Sequence, residues 1–174
     1  MKTSTLVVAL ASTLLPAAMV LGQGINDAQI AAIVVTANQV DIDAGKLAAS
    51  TTANPEVRKF ADLMVTDHTG VNRAAVDLVT KLAVSPQDNP TAQSLKAGGD
   101  KNLEYLRQLK GASFDSAYVA QEVAYHQAVI DALDKTLIPG ASNAELKALL
   151  VKVRPAFVAH LEHAKHVLAS LPKG

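Results

Sequence analysis

The sequence has no cysteine and no tryptophan, and aromatic residues make up only 3% of its 174 residues. Without cysteine we expect no disulfide, no thiolate metal site and no lipid anchor attached through an N-terminal cysteine. The scarcity of aromatic residues disfavours sandwiches and barrels, whose strands are rich in aromatic and β-branched side chains. The apolar fraction of 49% instead favours a single domain of closely packed helices.

The chain also lacks an excess of charge of either sign. Sixteen lysine and arginine residues stand against sixteen aspartate and glutamate residues. Proteins that bind nucleic acid or anionic membranes usually carry basic patches. We therefore expect neither as a partner, and the composition indicates no particular protein partner.

The sequence has one pronounced apolar run, at residues 6–15, and it lies near the start of the chain. Lys2 precedes this run, and small or turn-forming residues around Pro16 and Gly22 follow it, which is typical of a cleavable secretory signal. We predict a signal peptide at residues 1–22, a mature domain at residues 23–174, and a periplasmic or secreted location. No later segment reaches the roughly 18 apolar residues of a membrane span, so we expect no stable membrane insertion after signal removal.

Capping and turn signals divide the mature domain into four predicted long helices. Polar caps followed by proline, glutamate or glutamine typically mark where helices begin. The predicted starts are Asn26 with Gln29, Asn54 with Pro55, Ser113, and Ser142 with Glu145. Pro139-Gly140 is predicted to end the third helix, and Pro155 to kink the fourth.

A long polar connection separates the second helix from the third. It covers residues 84–112, contains the Gly98-Gly99 pair, and is predicted to hold one modest helix at residues 101–109. A connection of this length can run back along a bundle. We therefore predict an all-α fold, a ferritin-like four-helix bundle with a long crossover that contains a short extra helix.

Ionisable side chains fall on the apolar faces of all four predicted helices. A helix turns by about 100° per residue, so spacing identifies the residues that point inward. A buried ionised group costs several kcal/mol unless it is paired or ligated. The inward or nearly inward residues are Asp41, Asp67, His68, Glu122, His126 and His160.

Two interpretations of these residues remain open. In the first, they form an oxygen and nitrogen site for iron, zinc, manganese or copper, as carboxylates and imidazoles do in other bundle cores. In the second, they neutralise one another and Arg154, which is nearly level with His126, in a buried network without metal.

The C-terminal histidines His160, His163 and His166 have a second possible role. Their spacing of three residues could present two imidazoles to one exposed metal ion. We favour a basic turn that complements the helix dipole.

The sequence shows no pattern that indicates catalysis. It has no nucleophile elbow, phosphate-binding glycine loop or dinucleotide fingerprint, so we predict no catalytic or cofactor-binding residues. The leading prediction is an exported helical-bundle protein of unknown activity that binds a divalent metal. The alternative is a structural or interaction protein of the cell envelope with a buried salt-bridge network.

Several short motifs also resemble a known family. They are Asp41-Ile-Asp-Ala-Gly-Lys-Leu-Ala48, Asn54-Pro-Glu-Val57, Phe60-Ala61, Met64-Val-Thr-Asp-His68, Phe114-Asp115, Tyr118 and His160-Leu-Glu-His163. With these motifs the chain resembles the bacterial exported domain of unknown function 4142, often labelled an outer-membrane protein. The resemblance implies a ferritin-like bundle and an envelope or secreted location, but no settled activity.

The same motifs differ from those of di-iron ferritin-like proteins. Such proteins carry Glu-x-x-His on two helices, whereas this chain has Asp67-His68 and His160-x-x-His163. The difference disfavours iron storage and oxidase chemistry. Among enzyme activities, a metal-dependent oxidase is the least disfavoured, but it ranks below both non-enzymatic functions.

Overall fold

The computed structural model describes residues 24–172, and the predicted signal peptide lies outside them. Over this range the chain is helical between its loops and contains no strand, which confirms the predicted all-helical class. The long helices are α1 (Asp27–Thr51), α2 (Pro55–Lys81), α3 (Pro90–Arg107), α4 (Gly111–Ala132) and α5 (Ala144–Ser170). No helix in the described range combines the length and apolar character needed to cross a membrane.

The predicted starts of α1 and α2 are confirmed. The Asn26 side chain accepts a hydrogen bond from the backbone of Gln29 at 2.8 Å, and the Gln29 side chain accepts one from the Asn26 backbone at 3.1 Å. Asn54 accepts hydrogen bonds from two backbone amides ahead of it, and Pro55 occupies the first helical position. Both caps satisfy amides that would otherwise lack a partner at a helix N-terminus.

The predicted caps of the last two helices are wrong. Asn143, and not Ser142, caps α5, and it accepts hydrogen bonds from the backbones of Glu145 and Leu146. The backbone of Ser142 donates instead to Asp27 at the start of α1, 2.8 Å away. Helix α4 begins at Gly111, two residues before the predicted cap Ser113, and its N-cap makes no side-chain hydrogen bond.

The connection between α2 and α4 is more helical than predicted. Asn89 caps α3, and the helix begins at Pro90 and continues through Gly98-Gly99 to Arg107. A Cβ atom at Gly99 would lie 2.8 Å from both methyl carbons of Val40 on α1. This glycine is therefore present because α3 approaches α1 closely, and it does not interrupt the helix.

The continuous helical stretch that begins with α4 ends at the predicted Pro139-Gly140, but its last turns are irregular. A π-helical segment, Leu133–Leu137, follows α4 and leads into a short helical turn, Ile138–Gly140. Leu133 and Leu137 are both buried, so the wider turn still directs apolar side chains to the core. Pro155 lies inside α5, and the kink expected there stays a prediction.

The helices pack mainly as two pairs that follow one another in sequence. Helix α1 packs against α2, and α4 packs against α5. Helix α2 also contacts α5, while α3 packs on α1 and reaches α4. Residues far apart in the chain therefore meet where α1, α2, α4 and α5 face the same interior.

This interior contains two apolar clusters. The first apolar cluster includes Ile30, Ile33, Ile130, Leu150 and Phe157. The second apolar cluster includes Ala48, Phe60, Met64, Tyr118 and Ala164. Each of α1, α2, α4 and α5 contributes to both clusters, and buried polar residues lie near the boundary between them.

Candidate metal centre

A layer of buried polar side chains lies near the boundary between the two apolar clusters. We call it the polar layer; it comprises Asp41 on α1, His68 on α2, Glu122 and His126 on α4, and His160 on α5. Each of these residues is at most 5% exposed. The structure therefore brings together five of the six residues predicted for a metal site, and these side chains need partners or ligands to offset the cost of burial.

Asp41 lies between two of the histidines. Its Oδ2 atom is 3.4 Å from Nε2 of His68 and 3.6 Å from Nε2 of His126. Both distances are too long for a good hydrogen bond, and neither carboxylate oxygen has a hydrogen-bond partner among the described residues. Asp41 is thus a buried acid whose acceptor capacity is unused.

Each of the three buried imidazoles uses one ring nitrogen in a hydrogen bond. The pairs are His68 Nδ1 with Asn38 Oδ1 at 2.7 Å, His126 Nδ1 with the carbonyl oxygen of Glu122 at 3.0 Å, and His160 Nε2 with Asp67 Oδ2 at 2.9 Å. A carbonyl or carboxylate oxygen can only accept, so the ring nitrogen must donate.

The amide of Asn38 is oriented by a further contact. Its Nδ2 atom donates to the carbonyl oxygen of Val34 at 2.8 Å, which leaves Oδ1 as the acceptor for His68. The proton of the neutral His68 ring is therefore assigned to Nδ1.

The opposite ring nitrogens lie in the interior. His68 Nε2, His126 Nε2 and His160 Nδ1 are buried, and none has a hydrogen-bond partner within residues 24–172. One nitrogen from each ring lies within 4.8 Å of a nitrogen from the other two, and the ring centroids are 5.3–5.5 Å apart. Since the hydrogen-bonded nitrogens hold the protons, the opposite nitrogens carry lone pairs.

A second group of possible ligands overlaps with the first. One atom each from Asp41, Glu122 and His126 also lies within 4.8 Å of the other two. The Oε2 atom of Glu122 is 3.4 Å from Nδ1 of His126 and has no hydrogen-bond partner in the described part of the chain. The polar layer therefore offers both imidazole nitrogens and carboxylate oxygens.

Burial controls the protonation of the polar layer. It lowers the pKa of His68 to about 2, with His126 and His160 acting in the same direction. Burial also raises the pKa of Glu122 to about 8 and that of Asp41 well above its usual value. Each shift disfavours the charged form, so Asp41, His68 and Glu122 favour their neutral forms without a cation, whereas a bound cation would favour the carboxylates.

The sequence predictions missed three polar residues around the layer. Asn38 lies three residues before Asp41 on α1, a spacing that places both on one helix face and could have identified it. The Tyr118 hydroxyl is buried, and no described residue bonds to it. The Tyr125 hydroxyl donates to the carbonyl oxygen of Ala37 at 2.9 Å and so links α4 to α1.

Two of the predicted positions differ from expectation. Asp67 does not join Asp41; its side chain is 41% exposed and accepts the hydrogen bond from His160. Arg154, expected to neutralise the buried acids, instead forms a two-bond ion pair with Asp134 at the surface, at 2.6 and 2.7 Å. The network that included Arg154 is therefore wrong, because this part of α5 faces outward.

The C-terminal histidines do not form one group. His160 is buried, and His166 is exposed. The His163 ring packs edge-on against Phe60, with centroids 5.1 Å apart. Only His160 reaches the polar layer.

Comparison with known proteins identifies one family. The family described as Domain of unknown function (DUF4142) matches residues 13–167 of the chain. No curated protein and no solved structure matches the chain.

Proposed function

The chain belongs to the DUF4142 family, whose description names no activity, and from the polar layer we propose that it binds a single divalent transition-metal ion. The proposed ligands are His68, His126, His160 and Asp41, with Glu122 beside them. The observation that carries the proposal is the cluster of three buried imidazoles: each ring has a nitrogen within 4.8 Å of nitrogens of the other two, and each has one nitrogen with no partner among the described residues. We propose no enzymatic activity.

The hydrogen bonds behind the imidazoles support this role. A histidine that binds a metal almost always donates its other ring N–H to a carbonyl, carboxylate or similar acceptor. His68, His126 and His160 each have such an acceptor. A histidine that only stabilises a core is expected to have both ring nitrogens satisfied, because buried polar groups are nearly always hydrogen-bonded.

The spacing of the ligand atoms also fits a metal ion. With metal–nitrogen bonds of about 2.0–2.1 Å, two ligand atoms of a tetrahedral site lie about 3.4 Å apart. The distances of 3.4 and 3.6 Å from Asp41 to His68 and His126 are close to this value. Such separations are too long for hydrogen bonds and suit two atoms that share one ion.

The chemistry of the ligand set narrows the choice of metal. Imidazole suits zinc, copper and iron, whereas magnesium and calcium prefer sites built from oxygen atoms alone. Manganese accepts carboxylates more readily than the others, so Asp41 and Glu122 keep it among the candidates. Metal binding would favour the ionised form of Asp41.

The proposal extends to the fold type and the location. We propose a ferritin-like four-helix bundle of α1, α2, α4 and α5, because each of these helices supplies a residue of the polar layer. We also propose export to the periplasm or beyond, which rests on the signal-like residues 1–22.

A structural or interaction protein of the cell envelope is the second candidate. It is supported by the proximity of Asp41 to two imidazoles and by the hydrogen bond between His160 and Asp67. Such contacts could fix the register of the helices without a metal. The unused acceptors of Asp41 count against it, since a network that serves only structure should be satisfied.

Metal analysis of the mature protein, purified without a histidine tag, tests the proposal. After exposure to zinc, iron, manganese or copper and removal of loosely bound ions, we expect about one ion per chain and a higher Tm than in chelator. His126→Ala should lower the metal affinity by more than about 100-fold, since changes behind the ligands alone cost about 10–100-fold.

His166→Ala is the matched control, because it also removes a histidine, but one that is exposed. It should leave the metal content and affinity unchanged. A wild-type chain that takes up none of the four metals, with the same Tm in chelator and in added metal, would favour the structural candidate.

A further inference from the structure

A large cleft between α1, α3 and α4 reaches the polar layer. Its volume is about 1160 Å³, and most of its wall is apolar, including Ile33, Val34, Leu95, Val129, Leu133 and Leu150. Small-molecule pockets typically measure about 300–1,000 Å³, and packed cores contain few voids larger than a water molecule. The cleft is therefore large enough to bind a small molecule with a long apolar part.

The cleft reaches the polar layer from one side. Asp41, His68 and Glu122 line it, whereas His126 and His160 do not. A ligand in the cleft would approach a metal ion past the two carboxylates, while His126 and His160 would hold the ion from the far side. Because the four proposed protein ligands already fill a tetrahedral site, the ligand would add a fifth position, on the cleft side, to the coordination of the ion.

The lining of the cleft contains no lysine or arginine among the residues that the structure describes. The carboxyl groups among the described lining residues are those of Asp41 and Glu122. An anionic group in this cleft would lose its hydration and meet no cationic side chain. A metal ion is the counter-charge that would make such a group stable here.

Resting on the proposed metal site, we infer that the cleft binds an aliphatic monocarboxylate whose carboxylate group coordinates the metal ion. The aliphatic chain would lie along the apolar wall, where its burial is favourable. A sugar or nucleotide fits less well, because most of the wall cannot replace the hydrogen bonds that these molecules make with water.

Two substitutions can fill the cleft from opposite walls. Ala37 on α1 and Ser94 on α3 both line it, and neither is a proposed metal ligand. Ala37→Phe leaves the carbonyl oxygen that accepts the Tyr125 hydrogen bond, because that oxygen belongs to the backbone. Ala74→Phe, at an exposed position on α2 outside the cleft, is the matched control.

Calorimetric titration with decanoate tests the inference, with the zinc content of each protein measured first. We expect zinc-loaded wild type and Ala74→Phe to bind about one decanoate, and metal-free wild type to bind it at least about tenfold more weakly. Ala37→Phe and Ser94→Phe should keep their zinc and also bind decanoate at least about tenfold more weakly. Decan-1-ol, which lacks the carboxylate, should bind alike with and without zinc.

The outcomes separate this inference from the metal proposal. A chain that takes up no metal overturns both. Two results overturn the inference alone: stoichiometric zinc without decanoate binding, and decanoate binding that is unchanged either by the removal of zinc or by the cleft variants. The inference is also overturned if light scattering shows a dimer that Ala37→Phe and Ser94→Phe dissociate and Ala74→Phe does not. A second copy of the chain would then occupy the cleft.

Discussion

The polar layer and the apolar clusters beside it are built on the same four helices, but their side chains are satisfied differently. Phe60 and Met64 of the second apolar cluster are fully buried, and packing contacts are all that such side chains require. Asp41 and the three imidazoles are at most 5% exposed, yet each has a polar atom with no hydrogen-bond partner among residues 24–172. The apolar clusters therefore stabilise the fold, whereas burial of the polar layer costs stability, and the metal site that we propose would account for it.

The largest expected effect on stability separates these two roles. Phe60→Ala removes a fully buried ring from the second apolar cluster and should lower the free energy of unfolding by about 3–5 kcal/mol. It should leave one metal ion bound per folded chain, because Phe60 is not part of the polar layer. Urea unfolding in chelator and metal analysis at low temperature measure the two quantities.

Val76→Ala is the control for this prediction, because Val76 is on the same helix and is 48% exposed. It should change neither quantity appreciably. A loss of metal from folded Phe60→Ala would show that the second apolar cluster also shapes the site.

The next largest effect is on the free energy of unfolding and depends on pH. Burial raises the pKa of Glu122 to about 8 from an ordinary 4.5, so the metal-free folded chain keeps a proton that the unfolded chain has lost. The stability that Glu122 contributes is full below pH 4.5 and is lost as the pH rises through 8. Relative to wild type, Glu122→Gln should therefore gain a few kcal/mol between pH 4.5 and 8.5, at about 1.4 kcal/mol per pKa unit.

The measurement is urea unfolding of both proteins in chelator at several pH values. The pKa of His68 is lowered to about 2, so wild type and Glu122→Gln both lose stability as the pH falls below 6.5, and the difference between them cancels this loss. A difference between the two proteins that stays constant with pH would mean that Glu122 does not hold its proton in the fold.

A smaller effect, on metal affinity, is expected for a residue that is hydrogen-bonded to a proposed metal ligand. Asp67 accepts the hydrogen bond from His160 and so helps to orient the nitrogen that faces the polar layer. Asp67→Ala should weaken metal binding by about 10–100-fold, as changes to such partners usually do. The stability of the metal-free protein should change little, because the Asp67 side chain is 41% exposed.

Competition with a chelator of known affinity measures the change in metal binding. Asp77→Ala, an exposed acid on the same helix, controls for the loss of a negative charge. Equal weakening by both variants would point to long-range electrostatics and away from the orientation of His160.

The sequence allowed prediction of those features that depend on neighbouring residues. The caps at Asn26 and Asn54 were predictable because their hydrogen bonds join residues two or three positions apart. Helical periodicity likewise placed Asp41 and His126 on the inward faces and His68 near the edge of one. It could not show which ring nitrogens are free, since that depends on contacts such as His68 with Asn38, which bring two helices together.

The errors have physical causes of the same kind. Gly98-Gly99 resembled a helix-breaking pair, but Gly99 serves the close approach of α3 to Val40, which lies far away in sequence. Ser142 matched a capping pattern, but its neighbour Asn143 caps α5 and the Ser142 backbone binds Asp27. In both cases a tertiary contact decided between local alternatives.

The smallest expected effect on stability is that of replacing Arg154. This replacement also tests whether Arg154 belongs to the polar layer. Had it neutralised the buried acids, Arg154→Leu would leave charges unpaired in the core and strongly destabilise the fold. In the structure it pairs with Asp134 at the surface, and exposed pairs contribute little.

We expect Arg154→Leu to lower the Tm by no more than about 2–4 °C. Lys135→Leu, which breaks another exposed pair, should act similarly. A much larger decrease for Arg154→Leu alone, measured by calorimetry in chelator, would place Arg154 among the groups that hold the polar layer and would strengthen the candidate without metal.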